Sequence, residues 1–479
     1  MPVISVGGPP ASQLFPAARH GTNSVRSAVT RHNDRLAWAL LLLLAWAPLP
    51  LASNRPVFWT ISAMMMSAIG CLYFLNIARS NSRLRITLRD VGLPAMAFAV
   101  ICLFMVFQLL PVSSLFNLDI VARSGDTAIS IQTISVGPGM TALMLLRMIT
   151  YGLFVFLMMQ IGVNDSRRSF IYSMILGLIA IYALVGLFSL QAGDTILGLP
   201  KWAYIGSATG TFVNRNSFAT FLAFGCCIVS MRLASLLAEN LLRERGWNPN
   251  STIQFLAYIA IFALLIVTIV ATQSRMGTFV ATIGTIIPLI FIMTMKGQLR
   301  TALLITLPVL MAMVGAVFMI FGDRLIDRLG GVERSAETRF KLYDQIVQMI
   351  QMRPWTGFGG GTFDLAFPLV HQLPVSPDVL WDKAHNTYLT LWSELGLVVG
   401  SIPILLFVFL GIRLIVCLIR QQGSVSAQAL AIAVLAVGGV HSLVDFSLEI
   451  QANTFVFLAL VALGWSSTRP STRGSAPTP

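Results

Sequence analysis

Apolar residues gather into twelve stretches, at 36–53, 56–78, 91–111, 139–161, 169–191, 217–236, 252–271, 276–295, 301–321, 394–419, 427–445 and 453–467. Runs of about 20 such residues cross the hydrocarbon core as helices. The first stretch is interrupted by Pro48 and Pro50, and the last is short. Polar turns separate most neighbours, but residues 322–393 form one long polar segment between the ninth and tenth. The pattern predicts an all-α integral membrane protein of about 12 transmembrane helices with a single long loop. Its divisions are an arm at 1–35, helices 1–9 at 36–321, the loop at 322–393, helices 10–12 at 394–467 and a tail at 468–479.

Composition agrees. Hydrophobic residues make up 56% of the chain, charged residues 11%, and the mean hydropathy is +0.79. Lys and Arg accumulate in cytoplasmic loops of membrane proteins. With the N-terminus inside, cytoplasmic segments hold 19 of the 32 basic residues, whereas the short outer loops hold only Arg55, Arg123, Lys201, Arg215 and Arg275. Both termini are therefore expected in the cytoplasm, with the long loop outside. The net charge of +13 follows from this bias, and no basic stripe interleaved with aromatics suggests a nucleic-acid partner. Residues 1–35 lack an apolar core of the signal-peptide kind and read as a disordered cytoplasmic arm. Cys71, Cys102, Cys226, Cys227 and Cys417 all fall in apolar spans, where they serve as small packing residues.

Arginines that break the charge rule need a reason. Arg215 opens the sixth span in Asn214-Arg215-Asn216-Ser217, where Asn216 or Ser217 can cap the helix. A guanidinium beside a helix N-terminus makes an anion site, the alternative being a lipid anchor. Arg275 sits in a tight outer turn, Gln273-Ser274-Arg275, with the same two readings. Arg147 lies inside the fourth span, where it either reaches the interface or lines a site.

Within the loop, Leu342, Ile346, Met349 and Ile350 recur at helical spacing and predict an amphipathic helix on the membrane surface, with Arg339 and Tyr343 one turn apart. Residues 355–363 read as a flexible glycine-rich turn and lack the ending of a phosphate loop. His385 precedes Asn386, a plausible helix cap, at the outer end of a span. A neutral imidazole there can take a hydroxyl proton. His441 and Asp445, four residues apart, form either a base with its carboxylate or a polar clasp between helices. His371 has no evident partner. Nothing resembles a metal-ligand cluster, so metal-free chemistry without a cofactor is expected.

Several short motifs then fall into one order: residues 210–216, Gln273-Ser274-Arg275, Thr338-Arg339 with Tyr343, Arg353-Pro354-Trp355-Thr356-Gly357-Phe358-Gly359, and Ala384-His385-Asn386-Thr387-Tyr388-Leu389. In that order the chain resembles the O-antigen ligase/polymerase superfamily of bacterial inner-membrane glycosyltransferases, over roughly residues 90–467. The family's His-Asn, nine residues, Gly signature is met by His385, Asn386 and Gly396, with Gly400 one place beyond the usual position. The resemblance implies a GT-C-like fold and a periplasmic loop and active site. It also implies transfer of a glycan from undecaprenyl diphosphate to a hydroxyl acceptor, with inversion. His385 would be the base and Arg215, Arg275 and Arg339 would hold the diphosphate, while Arg147, Tyr343, Asn386, His441 and Asp445 are secondary candidates. Polysaccharide polymerisation is favoured over ligation to lipid A–core or protein glycosylation. A flippase and a chain-length regulator are the protein partners such a role implies. A lipid-linked sugar flippase or other 12-helix transporter is the alternative from a different class.

Overall fold

Eight helices among the described residues are long and apolar enough to cross a membrane. The computed structural model describes residues 18–112, 120–124, 127–241, 247–305, 339–378 and 380–468, with isolated positions at 307, 308, 311 and 315; of residues 18–30, 120–124 and 127–131 it describes the backbone alone. The helices are α1 Ala18–Trp46, α2 Pro56–Arg79, α3 Gly92–Leu109, α4 Pro138–Gly162, α5 Asp165–Gln191, α6 Arg215–Leu241, α7 Pro249–Thr272 and α8 Arg275–Met295. They are followed by α9 (339–352), α10 Thr387–Ile419, α11 Val425–His441 and α12 Gln451–Ser466. The chain is thus an all-α membrane protein with two small antiparallel hairpins, β1 Ile120–Ser124 with β2 Thr127–Ile131 and β3 Thr195–Ile196 with β4 Leu199–Pro200.

Helices α2 to α8 and α10 are the eight. The two final apolar stretches form the shorter helices α11 and α12. The first is cut short: α1 ends at Trp46, before Pro48 and Pro50, and Leu51, Ala52 and Ser53 then turn through positive φ. Its helix begins at Ala18, so residues 18–35 of the expected disordered arm are helical. The ninth stretch is helical through residue 305 and at the isolated positions 307, 308, 311 and 315; the rest of it lies outside the described residues, as do residues 1–17, Thr338 and the tail beyond 468.

Local sequence explains the helix starts. Asn164, Asn248 and Ser274 each accept a backbone N–H at the beginning of α5, α7 and α8, and Pro56, Pro138 and Pro249 occupy first-turn positions that need no donor. Packing then depends on small residues, which let helix backbones approach where lipid offers no hydrophobic drive. Helix α6 is the hub, buried from Ser217 to Met231. A Cβ on Gly277 of α8 would lie 2.3 Å from that of Ala219, and one on Gly284 would lie 2.6 Å from Cys227 Sγ. Cys226, Cys227 and Cys417 are buried as expected, whereas Cys71 is exposed.

The long loop builds its own core. Leu342, Ile346, Met349 and Ile350 are buried, but against Phe358, Phe363, Phe367, Val375, Ala384 and Leu389. The apolar face of α9 therefore packs inside the loop, correcting the expected membrane-surface helix. The glycine-rich segment is likewise not a flexible turn. Phe358 and Gly359 donate their N–H groups to the carbonyls of Ser393 and Glu394, at 2.9 and 3.0 Å, and Leu397 donates to Pro354 at 2.7 Å. This interlock requires glycine twice. Gly396 breaks α10 with φ 73° and ψ 167°, and a Cβ there would lie 2.3 Å from the Trp355 carbonyl. Gly357, at φ +62°, would place a Cβ 2.3 Å from the Glu394 carbonyl. The segment 387–395 thereby folds back, and Gly400 admits the Leu391 carbonyl.

Candidate functional site

Two helix N-termini lie side by side. Asn214 caps α6, its Oδ1 accepting from the N–H groups of Asn216 at 2.7 Å and Ser217 at 3.3 Å. This moves the cap upstream of the Asn216 or Ser217 expected, and frees Asn216 for another task. Its Oδ1 accepts from the Ser274 hydroxyl at 2.8 Å, while Ser274 Oγ caps α8 through Gly277 N–H at 3.1 Å. Arg215 and Arg275 are therefore the first residues of two coupled helices, where the positive dipole ends coincide. Arg215 donates to Ser207 Oγ at 3.4 Å and its guanidinium lies 5.5 Å from the Tyr204 ring centre; Arg275 is exposed.

His385 occupies the last non-helical turn before α10. Asn386 caps that helix as expected, accepting from Tyr388 and Leu389 N–H at 3.0 and 3.2 Å. Its amide donates to the Leu443 carbonyl at 3.0 Å, and Thr387 N–H donates to the Ser442 carbonyl at 3.0 Å. These bonds pin the histidine turn to the end of α11. His385 itself takes φ +52°, a sparsely populated region for a residue with a Cβ. The strain is held by the Tyr343 hydroxyl, which donates to the His385 carbonyl at 2.9 Å. The imidazole is gripped edge-on by Phe446, 5.0 Å between ring centres, and Trp381, at 5.9 Å. Among the described residues no group pairs with its Nδ1, so aromatic packing and not a carboxylate orients the ring.

Charge around this turn is mainly that of Arg339. Burial drops the His385 pKa to about 4, with Arg339 and Lys383 adding to the fall and Asp382 opposing it. Burial pushes Asp445 up to about 6, partly offset by the Phe446 N–H, by Asn216 and by Arg339. Tyr343 is raised by burial against the pull of Arg339. Arg339 also acts on His441 and Tyr204, and Tyr204 senses Arg215 and Asp445 as well. Arg215, Arg339, Tyr204, Tyr343, His385, His441 and Asp445 thus share one electrostatic neighbourhood.

The His441–Asp445 pair is not joined through its side chains. Asp445 N–H meets the His441 carbonyl at 3.1 Å, but both imidazole nitrogens and Asp445 Oδ2 are buried without partners among the described residues. Arg147 is enclosed by the helices around it. It is 4% exposed, donates to Tyr151 Oη at 2.7 Å and to the Glu449 carbonyl, and lies over the Trp59 ring. It fixes the corner before α12, whose Glu449 carboxylate receives Thr390 Oγ1 at 3.0 Å and faces Lys383 at 3.6 Å. His371 finds the Val375 carbonyl at 3.2 Å.

Sequence reasoning missed several supporting groups. Glu394 is buried and accepts from Gly361 N–H at 2.7 Å and Phe363 N–H at 3.4 Å, anchoring the glycine segment. Gln108 of α3 donates to the carbonyls of Thr356 and Glu394, both at 2.8 Å. Asn453 ties α12 to α6 through the Ser217 carbonyl at 2.9 Å. Polar residues inside apolar runs were the available signal, without any indication of their partners.

No curated protein matches the chain. A family model does, over residues 260–404, from the second half of α7 through α8, α9 and the break in α10; Arg275, Arg339 and His385 fall within it, while Arg215, His441 and Asp445 lie outside. That model is described as O-Antigen ligase, and its match supports the O-antigen ligase/polymerase superfamily for this membrane protein.

Proposed function

We propose that the protein is a membrane glycosyltransferase that moves a glycan from undecaprenyl diphosphate to a hydroxyl acceptor on the periplasmic face, and that its task is polymerisation of an exported polysaccharide. One observation carries the proposal: Arg339 acts on His385, which burial holds neutral, and Arg339 and Arg215 act together on Tyr204. The acceptor oxygen attacks the anomeric carbon, its proton passes to the His385 imidazole, and the bond to the diphosphate breaks on the opposite side. Attack from that side inverts the anomeric centre. Negative charge grows on the departing diphosphate, and guanidinium groups in a partly dry cleft stabilise it more than water would. Arg215 and Arg339, with Arg275 beside the α6 N-terminus, supply that charge without a divalent ion.

The finer architecture belongs to the same proposal. It comprises twelve spans in a GT-C-like arrangement, both termini cytoplasmic and residues 322–393 periplasmic, and the distribution of Lys and Arg supports that orientation. Ligation to lipid A–core uses the same donor and differs in the acceptor. The test is reconstitution in lipid nanodiscs with a labelled lipid-linked repeat unit and a chelator present. Release of undecaprenyl diphosphate with glycan lengthening supports polymerisation. Release only after lipid A–core is added makes the protein a ligase, and no release under either condition overturns the transferase proposal.

A further inference from the structure

The connection between α5 and α6 is locked by an ion pair whose lysine end is buried. The Lys201 side chain is 1% exposed, pairs with Asp194, and donates to the Ser207 carbonyl at 2.6 Å. The other Asp194 oxygen accepts Gly206 N–H at 2.6 Å. Gln273 Nε2 donates to the Gly206 carbonyl at 2.9 Å, and Ala208 N–H to the Ala271 carbonyl at 2.8 Å, which seats the loop on the end of α7. A positive charge at Lys201 opposes the charge rule for outer loops, and this clamp is its reason.

What the clamp presents is Tyr204. The residue takes φ +54°, a strained choice for a side chain with a ring, and such strain persists only where the surroundings over-determine it. Its ring lies over Arg215, and its hydroxyl pairs with no described residue while facing the charges of Asp445, Arg215, Arg339 and Asp382. Burial raises its pKa above that of a free phenol, so it remains a donor at any working pH. On either side, Leu197, Leu199, Trp202 and Ile205 are exposed, an apolar rim suited to the bilayer interface. A polar ring turned inward beside an apolar rim matches a ligand that is diphosphate at one end and lipid at the other.

We propose that Tyr204 contacts the substrate, donating its hydroxyl to the diphosphate held by Arg215, and that the Lys201–Asp194 pair is the positioning device that keeps it there. This rests on Arg215 as a diphosphate ligand. The test is equilibrium binding of undecaprenyl diphosphate to the full-length protein in nanodiscs. Tyr204→Phe keeps the ring over Arg215 and removes only the hydroxyl. A hydrogen bond to a charged group predicts roughly tenfold to hundredfold weaker binding. In the Asp194→Asn/Lys201→Met background the same change should have a much smaller effect, because the phenol is no longer held. Wild-type binding by Tyr204→Phe while Arg215→Lys is impaired would overturn the Tyr204 contact alone. If Arg215→Lys also binds normally, the diphosphate reading of Arg215 falls with it. A full Tyr204→Phe effect in the clamp-free background would overturn the positioning role of the ion pair.

Discussion

The Tyr343 hydroxyl donates to the backbone carbonyl of His385 at 2.9 Å, joining the loop helix α9 to the turn that carries the proposed base. The bond holds a left-handed histidine against relaxation, and it touches no reacting atom. Tyr343→Phe removes about 0.5–1.5 kcal/mol of net hydrogen-bond stabilisation. Steady-state kinetics should show kcat roughly two- to tenfold lower with donor KM unchanged. A raised KM and normal kcat would instead make Tyr343 a substrate contact.

The α10 break makes a stability prediction. Gly396 has φ 73° and ψ 167°, a region open almost only to glycine, and a Cβ would press on the Trp355 carbonyl. Gly396→Ala should destabilise the protein by about 1–3 kcal/mol from backbone strain, before the clash is added. Gly411→Ala is the control, since its Cβ meets only Leu435 Cδ1 at 3.7 Å. Thermal unfolding in detergent should separate the two variants; equal midpoints would remove the interlock from the account.

Arg215→Lys keeps the charge at the α6 N-terminus and loses the planar fork. Donor turnover should fall substantially while expression and membrane insertion stay normal. Full activity in the Lys variant would reduce Arg215 to a lipid anchor.

How much of this was legible depended on the range of the interaction. Apolar spacing identified Leu342, Ile346, Met349 and Ile350 as one buried face, and Asn386 as a cap, because helical period and capping are local. The surface against which that face packs was misread, since Phe358, Phe363 and Phe367 join it only after the chain folds back at Gly357. Asn214 was overlooked as a cap because Asn216 and Ser217 stand beside it with equal credentials. Glu394, Gln108, Tyr204 and Glu449 meet backbone, guanidinium and hydroxyl partners outside their own helical turn, and no spacing rule reports such pairings. The positions of His385, Arg215 and Arg275 at helix starts were readable. Their neighbours were not.

The pH dependence follows from the direction of the His385 shift. Burial first, then Arg339, favour the neutral imidazole and bring its pKa to about 4. The neutral form is the base, so activity should be retained as pH falls through 6.5 and be lost only toward 4. Removing a positive neighbour raises the pKa, so Arg339→Gln should move this acid limb of kcat/KM to higher pH. Burial raises Asp445 to about 6, so it titrates within the same range. A limb near 6 that persists in Asp445→Asn would contradict the assignment of the lower limb to His385.

The central claim is that His385 takes the acceptor's proton while the arginines hold the diphosphate independently. Single-turnover transfer from a labelled lipid-linked donor, measured beside donor binding for wild type and His385→Ala in the same nanodiscs, tests it most directly. General-base catalysis predicts transfer slowed by roughly 10²–10⁴-fold with donor affinity unchanged. Transfer at the wild-type rate, or slow transfer explained entirely by lost donor binding, would contradict it.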